Sequence, residues 1–130
     1  MAKQELTLDG GTRVIEYVLT EGWIAMVGKT ALDNDELSIR HASQKDHWFH
    51  VRGMPGGHVI LRAEEGREPD KGTLKEAAAI AAWHSKAKDA GQVAVSYTLA
   101  RYVSKPKRSK AGLVSIKKEI VLKVRPGIPD

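Results

Sequence analysis

Apolar residues along the chain come in short runs broken by glycine, and the spacing within each run predicts its element. Arg13 to Leu19 holds Val14, Ile15, Tyr17 and Val18, a β-branched and aromatic run that predicts a strand. Glu21-Gly22 predicts a turn, and Trp23 to Val27 its hairpin partner, closed by Gly28. After a loop from Lys29 to Asp33, Asn34 is the expected N-cap of a short helix carrying Leu37, Ile39, Arg40, His41 and Ala42. Two further strands, Trp48 to Val51 and His58 to Arg62, flank the turn Gly53-Met-Pro-Gly-Gly57. There proline restricts φ and glycine permits a tight reversal or a close approach. Ala63 to Gly72 is a charged loop. Thr73-Leu-Lys-Glu76 has the form of a capping box and predicts a helix to about Asp89, ending at Gly91. Leu74, Ala77, Ala78, Ala81 and Ser85 share one stripe of it, small enough to let it lie close on a sheet. Gln92 to Thr98 alternates apolar and polar positions as a half-buried strand does, and continues or bends through Arg101-Tyr102-Val103. Leu113 to Ile116 and Glu119 to Val124 are the last strands.

Strands grouped in this way around one long and one short helix predict an α+β single domain with a mostly antiparallel sheet. Its expected limits are residues 13–126, after a loosely paired leader at 1–12 and before a tail at 127–130.

Composition narrows the function. A chain of 130 residues with 42% hydrophobic content can bury a core without staples. It has no cysteine, which removes disulfides, thiolate metal sites and cysteine nucleophiles. No signal peptide and no span of membrane length appears, so the expected location is cytoplasmic, without membrane contact. The net charge of +5 is unevenly placed: from Arg101 to Arg125 the bases are Arg101, Lys105, Lys107, Arg108, Lys110, Lys117, Lys118, Lys123 and Arg125, against the single acid Glu119. Such a segment suits a polyanion.

Candidate chemistry clusters between Asp46 and Leu61. His47, His50 and His58 lie close in sequence, but strand residues three apart point to opposite faces, so the spacing argues against a metal site. Gly28-Lys29-Thr30 is not a phosphate loop, because Trp23 stands where the first glycine is needed. No Gly-x-Ser-x-Gly elbow is present. The residues therefore imply no catalytic group, metal or cofactor. Trp23 and Trp83 read as core; Trp48, among polar neighbours, reads as a face for stacking a base beside cations. The loop Ser104 to Gly112 reads as a phosphate contact.

Several of these strings together resemble the NFACT-R domain. They are Gly28-Lys29 with Asn34-Asp-Glu-Leu37, Asp46-His-Trp-Phe-His50 with Pro55-Gly-Gly-His-Val-Ile60, Leu74-Lys-Glu-Ala-Ala with Ala81-Ala-Trp-His-Ser85, Tyr97-Thr98 with Val103-Ser-Lys-Pro106, and Lys110-Ala-Gly-Leu-Val114. The resemblance covers about residues 20–126 and keeps motif order, with Gly57 where the family more often has serine. It implies a non-catalytic RNA-binding module, usually the C-terminal part of ribosome quality-control factors, some labelled fibronectin-binding proteins. The long members' N-terminal domain and coiled coil have no counterpart among these residues, so this resembles a freestanding version. For such versions the family suggests RNA metabolism or tRNA modification.

The expected partner is thus tRNA or rRNA, with the large ribosomal subunit a further candidate. The expected contacts are Lys29, Trp48, His50, Arg52, Gly56, Gly57, His58, Arg101, Lys105, Lys107, Arg108 and Lys110, with Asn34, Asp35 and Asp46 holding the site together. Two rival readings are a small RNA-processing or hydrolytic enzyme using His50 and His58 as an acid–base pair, and an adaptor gripping an acidic protein.

Overall fold

The computed structural model describes residues 3–130. Among these residues nine strands and two α-helices follow one another as β1 (Lys3–Thr7), β2 (Arg13–Val18), β3 (Ile24–Gly28), α1 (Ala31–Glu36), β4 (His47–Val51), β5 (Val59–Leu61), α2 (Lys71–Trp83), β6 (Val93–Leu99), β7 (Val103–Ser104), β8 (Ser115–Ile116) and β9 (Ile120–Val124). Seven strands form one sheet in the order β1-β2-β3-β5-β4-β6-β9, with every pairing antiparallel. β7 and β8 make a separate two-stranded ribbon. This is the α+β architecture that the strand grouping predicts.

Because side chains alternate across the sheet, each face has its own core. One face carries Val27, Phe49, Val51, Val59 and Leu61 and is covered by α2 through Ala77, Ala78, Ile80, Ala81 and Ala82. The other carries Val14, Met26, Trp48 and Ile60 beneath Leu37, with Val103, Val114 and Ile116 of the ribbon region packed on top. Alanines let α2 settle close to the sheet, as their size predicts.

Both ends of the chain join this body. Described residues of the expected leader form β1, paired along its length with β2 from Lys3↔Tyr17 to Thr7↔Arg13; Met1 and Ala2 lie outside the described residues. At the other end, Gly127 N–H donates to the Ala79 carbonyl, and Ile128 packs against the α2 core.

Helix boundaries differ from expectation for local electrostatic reasons. Thr30, not Asn34, caps α1: it exchanges hydrogen bonds with Asp33 in a capping box. A wider, π-type turn at Leu37–His41 continues the helix. Asp70 caps α2, accepting from Thr73 N–H at 2.8 Å, so Thr73 lies inside the helix. A carboxylate is a stronger acceptor for those exposed N–H groups than the threonine hydroxyl, and it complements the helix dipole. α2 stops at Trp83, short of Asp89, because Gly57 N–H takes the His84 carbonyl at 2.8 Å. A continuing helix would need that acceptor.

The two glycines of the central turn have their explanation here. A Cβ on Gly57 would lie 2.5 Å from Val27 Cγ2, and one on Gly56 2.9 Å from Ser85 Cβ. They let the β4–β5 connection lie against the end of α2, so at position 57 a serine side chain has no room.

Candidate nucleic-acid interface

A continuous hydrogen-bond chain links the central strands to the basic loop. Trp48 Nε1–H donates to Ser38 Oγ at 3.0 Å, and Ser38 Oγ lies 2.8 Å from His58 Nδ1. On the other side of the ring Nε2 faces the Gly112 carbonyl, which can only accept, so in the neutral imidazole Nδ1 accepts from the Ser38 hydroxyl and the proton sits on Nε2. That N–H donates to the Gly112 carbonyl at 3.1 Å. Gly112 N–H in turn donates to Asp35 Oδ2 at 3.0 Å, and Lys105 Nζ meets the same oxygen at 3.0 Å. Lys105 also donates to the carbonyls of Lys110 and Leu113, closing the loop on itself. Gly112 has φ of +88° and sits against Ala31, so glycine is the residue that serves this seat. Asn34 supports it from below, accepting from His58 N–H at 3.1 Å.

The expected aromatic platform is therefore not there. Trp48 is 3% exposed and His58 1% exposed, the first packed in the second core and the second enclosed by the loop. No base can stack on either. The acid–base pair of the enzyme reading fails for the same reason, because both ring nitrogens of His58 are engaged internally. His50 remains half-buried, stacked on Trp48 (centroids 5.9 Å, 22° between planes) and edge-on to His58 at 5.3 Å.

What the loop offers outward is charge. Lys107, Arg108 and Lys110 are exposed, and none forms an ion pair among the described residues. Arg108 holds a left-handed φ of 63°, a conformation non-glycine residues seldom adopt. Beside this loop a pocket of about 210 Å³ opens between His50, Arg52, Gly53, Ser96, Gly112 and Glu119, with Val114 and Ile116 on one side. Arg52 Nε lies 3.7 Å from Glu119 Oε2, an oxygen that also accepts from the Ser96 hydroxyl. On the β6–β9 pairing Lys123 stands opposite Ala94, whose carbonyl accepts from Arg52 N–H, which puts Lys123 and Arg52 on one face of the sheet.

Other expected site residues lie elsewhere. Lys29 is paired with Glu5 of β1. Gly56 and Gly57 face the end of α2, not a ligand. Asp46 is buried at the opposite end of β4, where it accepts from Ser43 and Ala63 N–H and neighbours Arg62. Arg101 is there too, N–H to the Gln44 carbonyl, and lines a separate groove of about 1000 Å³ with Lys45 and Arg62. As strand periodicity predicts, His47 points to the other face, against Phe49 and Tyr97, and among the described residues no group of three metal-ligating side chains gathers. Ser38, Ser96 and Glu119 escape the sequence reading as site residues, and of these only Glu119, the lone acid of a basic segment, carries a visible signal; Gly112 is visible there only as the end of the basic loop and part of a family string.

Burial sets the histidine charges. The interior position of His58, then the neighbouring His50, lowers its pKa to about 4; burial, then Lys3 and Lys88, lowers His84 to about 4. His84 Nε2 lies 2.6 Å from Tyr17 Oη, at hydrogen-bonding distance. Both imidazoles bind protons more readily in the unfolded chain, whose value is near 6.5. Stability is thus expected to fall as pH drops from about 6.5 to about 4, and to hold steady above that window. Urea denaturation at steps across the window tests this; a flat midpoint from pH 7 to pH 4.5 would contradict it.

Residues 13–118 match the NFACT protein RNA binding domain. The chain belongs to that family. Among its relatives are the Rqc2 homolog RqcH of Bacillus subtilis (strain 168), 42% identical over 110 residues, and that of Streptococcus suis (strain 05ZYH33), 35% identical over 111. Each alignment covers 85% of this chain but only 19% and 20% of the relative, so the NFACT domain here spans about a fifth of their length. A solved C-terminal part of the fibronectin/fibrinogen-binding protein from Streptococcus suis superposes with a TM-score of 0.80 at 34% identity, covering 86% of this chain and 45% of that one. Among the described residues of the NFACT domain no helix is long and apolar enough to cross a membrane.

Proposed function

We propose that this NFACT domain binds structured RNA, tRNA or rRNA, as a non-catalytic module of ribosome-associated quality control or RNA modification. The observation that carries the reading is the seating of the basic loop. Asp35, Lys105 and Gly112 hold it on the body, so that Lys107, Arg108 and Lys110 are presented together. Cations held in place lose less conformational entropy on meeting phosphates than cations on a free loop. Arg52 and Lys123 lie on the sheet face that opens beside the loop, and His50, whose pKa burial lowers, offers a ring edge in the pocket there. The family description, an RNA binding domain, agrees with this surface. Docking on the large ribosomal subunit, alongside relatives named Rqc2 homolog RqcH, is the wider setting that we propose.

Lys107→Ala, Arg108→Ala and Lys110→Ala combined should weaken tRNA binding and lower the slope of log K against log salt by roughly 2, at about 0.7–0.9 per phosphate contact. Filter binding from low to high salt reads both quantities. If affinity and slope match the wild type, the loop is not the contact.

A further inference from the structure

Glu119 is an anomaly on this surface. It is the only acid among nine bases between Arg101 and Arg125, and it stands in the pocket beside the basic loop. A carboxylate there repels phosphates, so a surface that only collected phosphates would be better without it. Its internal contacts, to Ser96 and Arg52, both use Oε2, and among the described residues Oε1 has no hydrogen-bond partner.

The pocket's size and walls narrow the ligand. Its volume of about 210 Å³ lies below the roughly 300–1,000 Å³ of sites for drug-sized molecules, so it takes one ring system. One wall is the His50 ring, held in orientation by Trp48 and His58; Val114 and Ile116 supply an aliphatic wall. At the polar end an acceptor-only group, Glu119, stands beside a donor-only group, Arg52. Of the four RNA bases, guanine alone has two adjacent donors, N1–H and N2–H, next to an acceptor, O6. Adenine and cytosine offer a single donor group at that edge, and uracil one donor between two acceptors.

We propose that the pocket between His50, Arg52, Ser96 and Glu119 takes one unstacked guanine of the bound RNA. The Glu119 carboxylate accepts from N1–H and N2–H, and Arg52 donates to O6. Unpaired bases are commonly read in this way, on their Watson–Crick edge. The proposal rests on the reading of this face as RNA-binding, and adds a sequence preference to contacts that otherwise read none.

The test uses the full 130-residue chain and single-stranded pentamers of uridine whose central base is guanine, hypoxanthine, adenine, cytosine or uracil. Fluorescence anisotropy, or NMR titration for weak complexes, gives each affinity. Guanine should be favoured over adenine and cytosine by roughly 5- to 150-fold, the span of one bidentate base contact. Hypoxanthine, which lacks N2–H, should fall between. In Glu119→Gln, with folding checked by thermal melting, the preference should collapse, while all-uridine affinity rises because a negative charge has gone. Equal affinities in the wild type would overturn the proposal, as would a preference that persists in Glu119→Gln. A salt-dependent complex with tRNA but no base preference defeats this inference alone; no binding to any RNA defeats the RNA reading with it.

Discussion

Trp48→Ala is expected to cost about 3–5 kcal/mol of folding stability, the range for removing a large buried aromatic side chain. Trp48 is 3% exposed, in a core cluster with Val14, Met26, Leu37 and Ile60, and its indole N–H holds Ser38 in the orientation that His58 needs. Trp48→Phe should cost less, about 1–2 kcal/mol, because most of the volume stays and only the hydrogen bond is lost. Urea denaturation measures both. Direct stacking on RNA would give the opposite pattern: near-native stability of Trp48→Ala, with a binding loss of roughly 1–3 kcal/mol. That result would mean the indole swings out of the core, and would refute the packing described here.

Asp35→Ala should weaken RNA binding even though it makes the chain more positive. Charge alone predicts the reverse, so the sign of the effect separates the two explanations. Asp35 Oδ2 holds both Gly112 N–H and Lys105 Nζ, and without it the Gly112 carbonyl to His58 is the hydrogen bond that still ties the loop's seat to the body. The Gly112 N–H bond to this carboxylate is worth about 1.5–3 kcal/mol and the part-exposed ion pair with Lys105 about 0–1 kcal/mol, so a stability loss of about 2–4 kcal/mol is expected. Lys107, Arg108 and Lys110 would then sample many positions, and their shared approach to phosphates would carry an ordering cost. Affinity for tRNA should drop several-fold, with a salt slope close to wild type, because the cations remain. Tighter binding by Asp35→Ala would show that the loop acts as loose charge and that its seat has no part in recognition.

The same residues explain why some features were readable in advance. Apolar, β-branched runs bounded by turns located β2, β3, β4 and β9 within a residue or two, period-two alternation located β6, and the alanine stripe placed α2 against the sheet. These signals are local: a strand covered on both faces is apolar along most of its length, and a helix lying close must be small where it touches. Helix ends were less legible. Asp70 and Thr73 are both plausible caps by type, and what stops α2 at Trp83 is a glycine N–H some 27 residues earlier in the chain. β1 was missed because Lys3, Gln4 and Glu5 make it polar, as edge strands often are.

Of the candidate site, the charge was legible and the geometry was not. Clustered cations with one acid are a property of the chain order, and so are the family strings running from Gly28 to Val114. Those determined a basic α+β domain and its kinship. Whether a tryptophan among histidines is exposed depends on what lies over it, and the cover comes from Leu37, Ser38, Gly112 and Val114, distant in sequence. Tertiary structure alone decided that Trp48 and His58 are interior, that Lys105 is a clasp, and that Glu119 stands in the pocket. Burial and hydrogen bonding are sums over neighbours, and a linear pattern does not contain the neighbours.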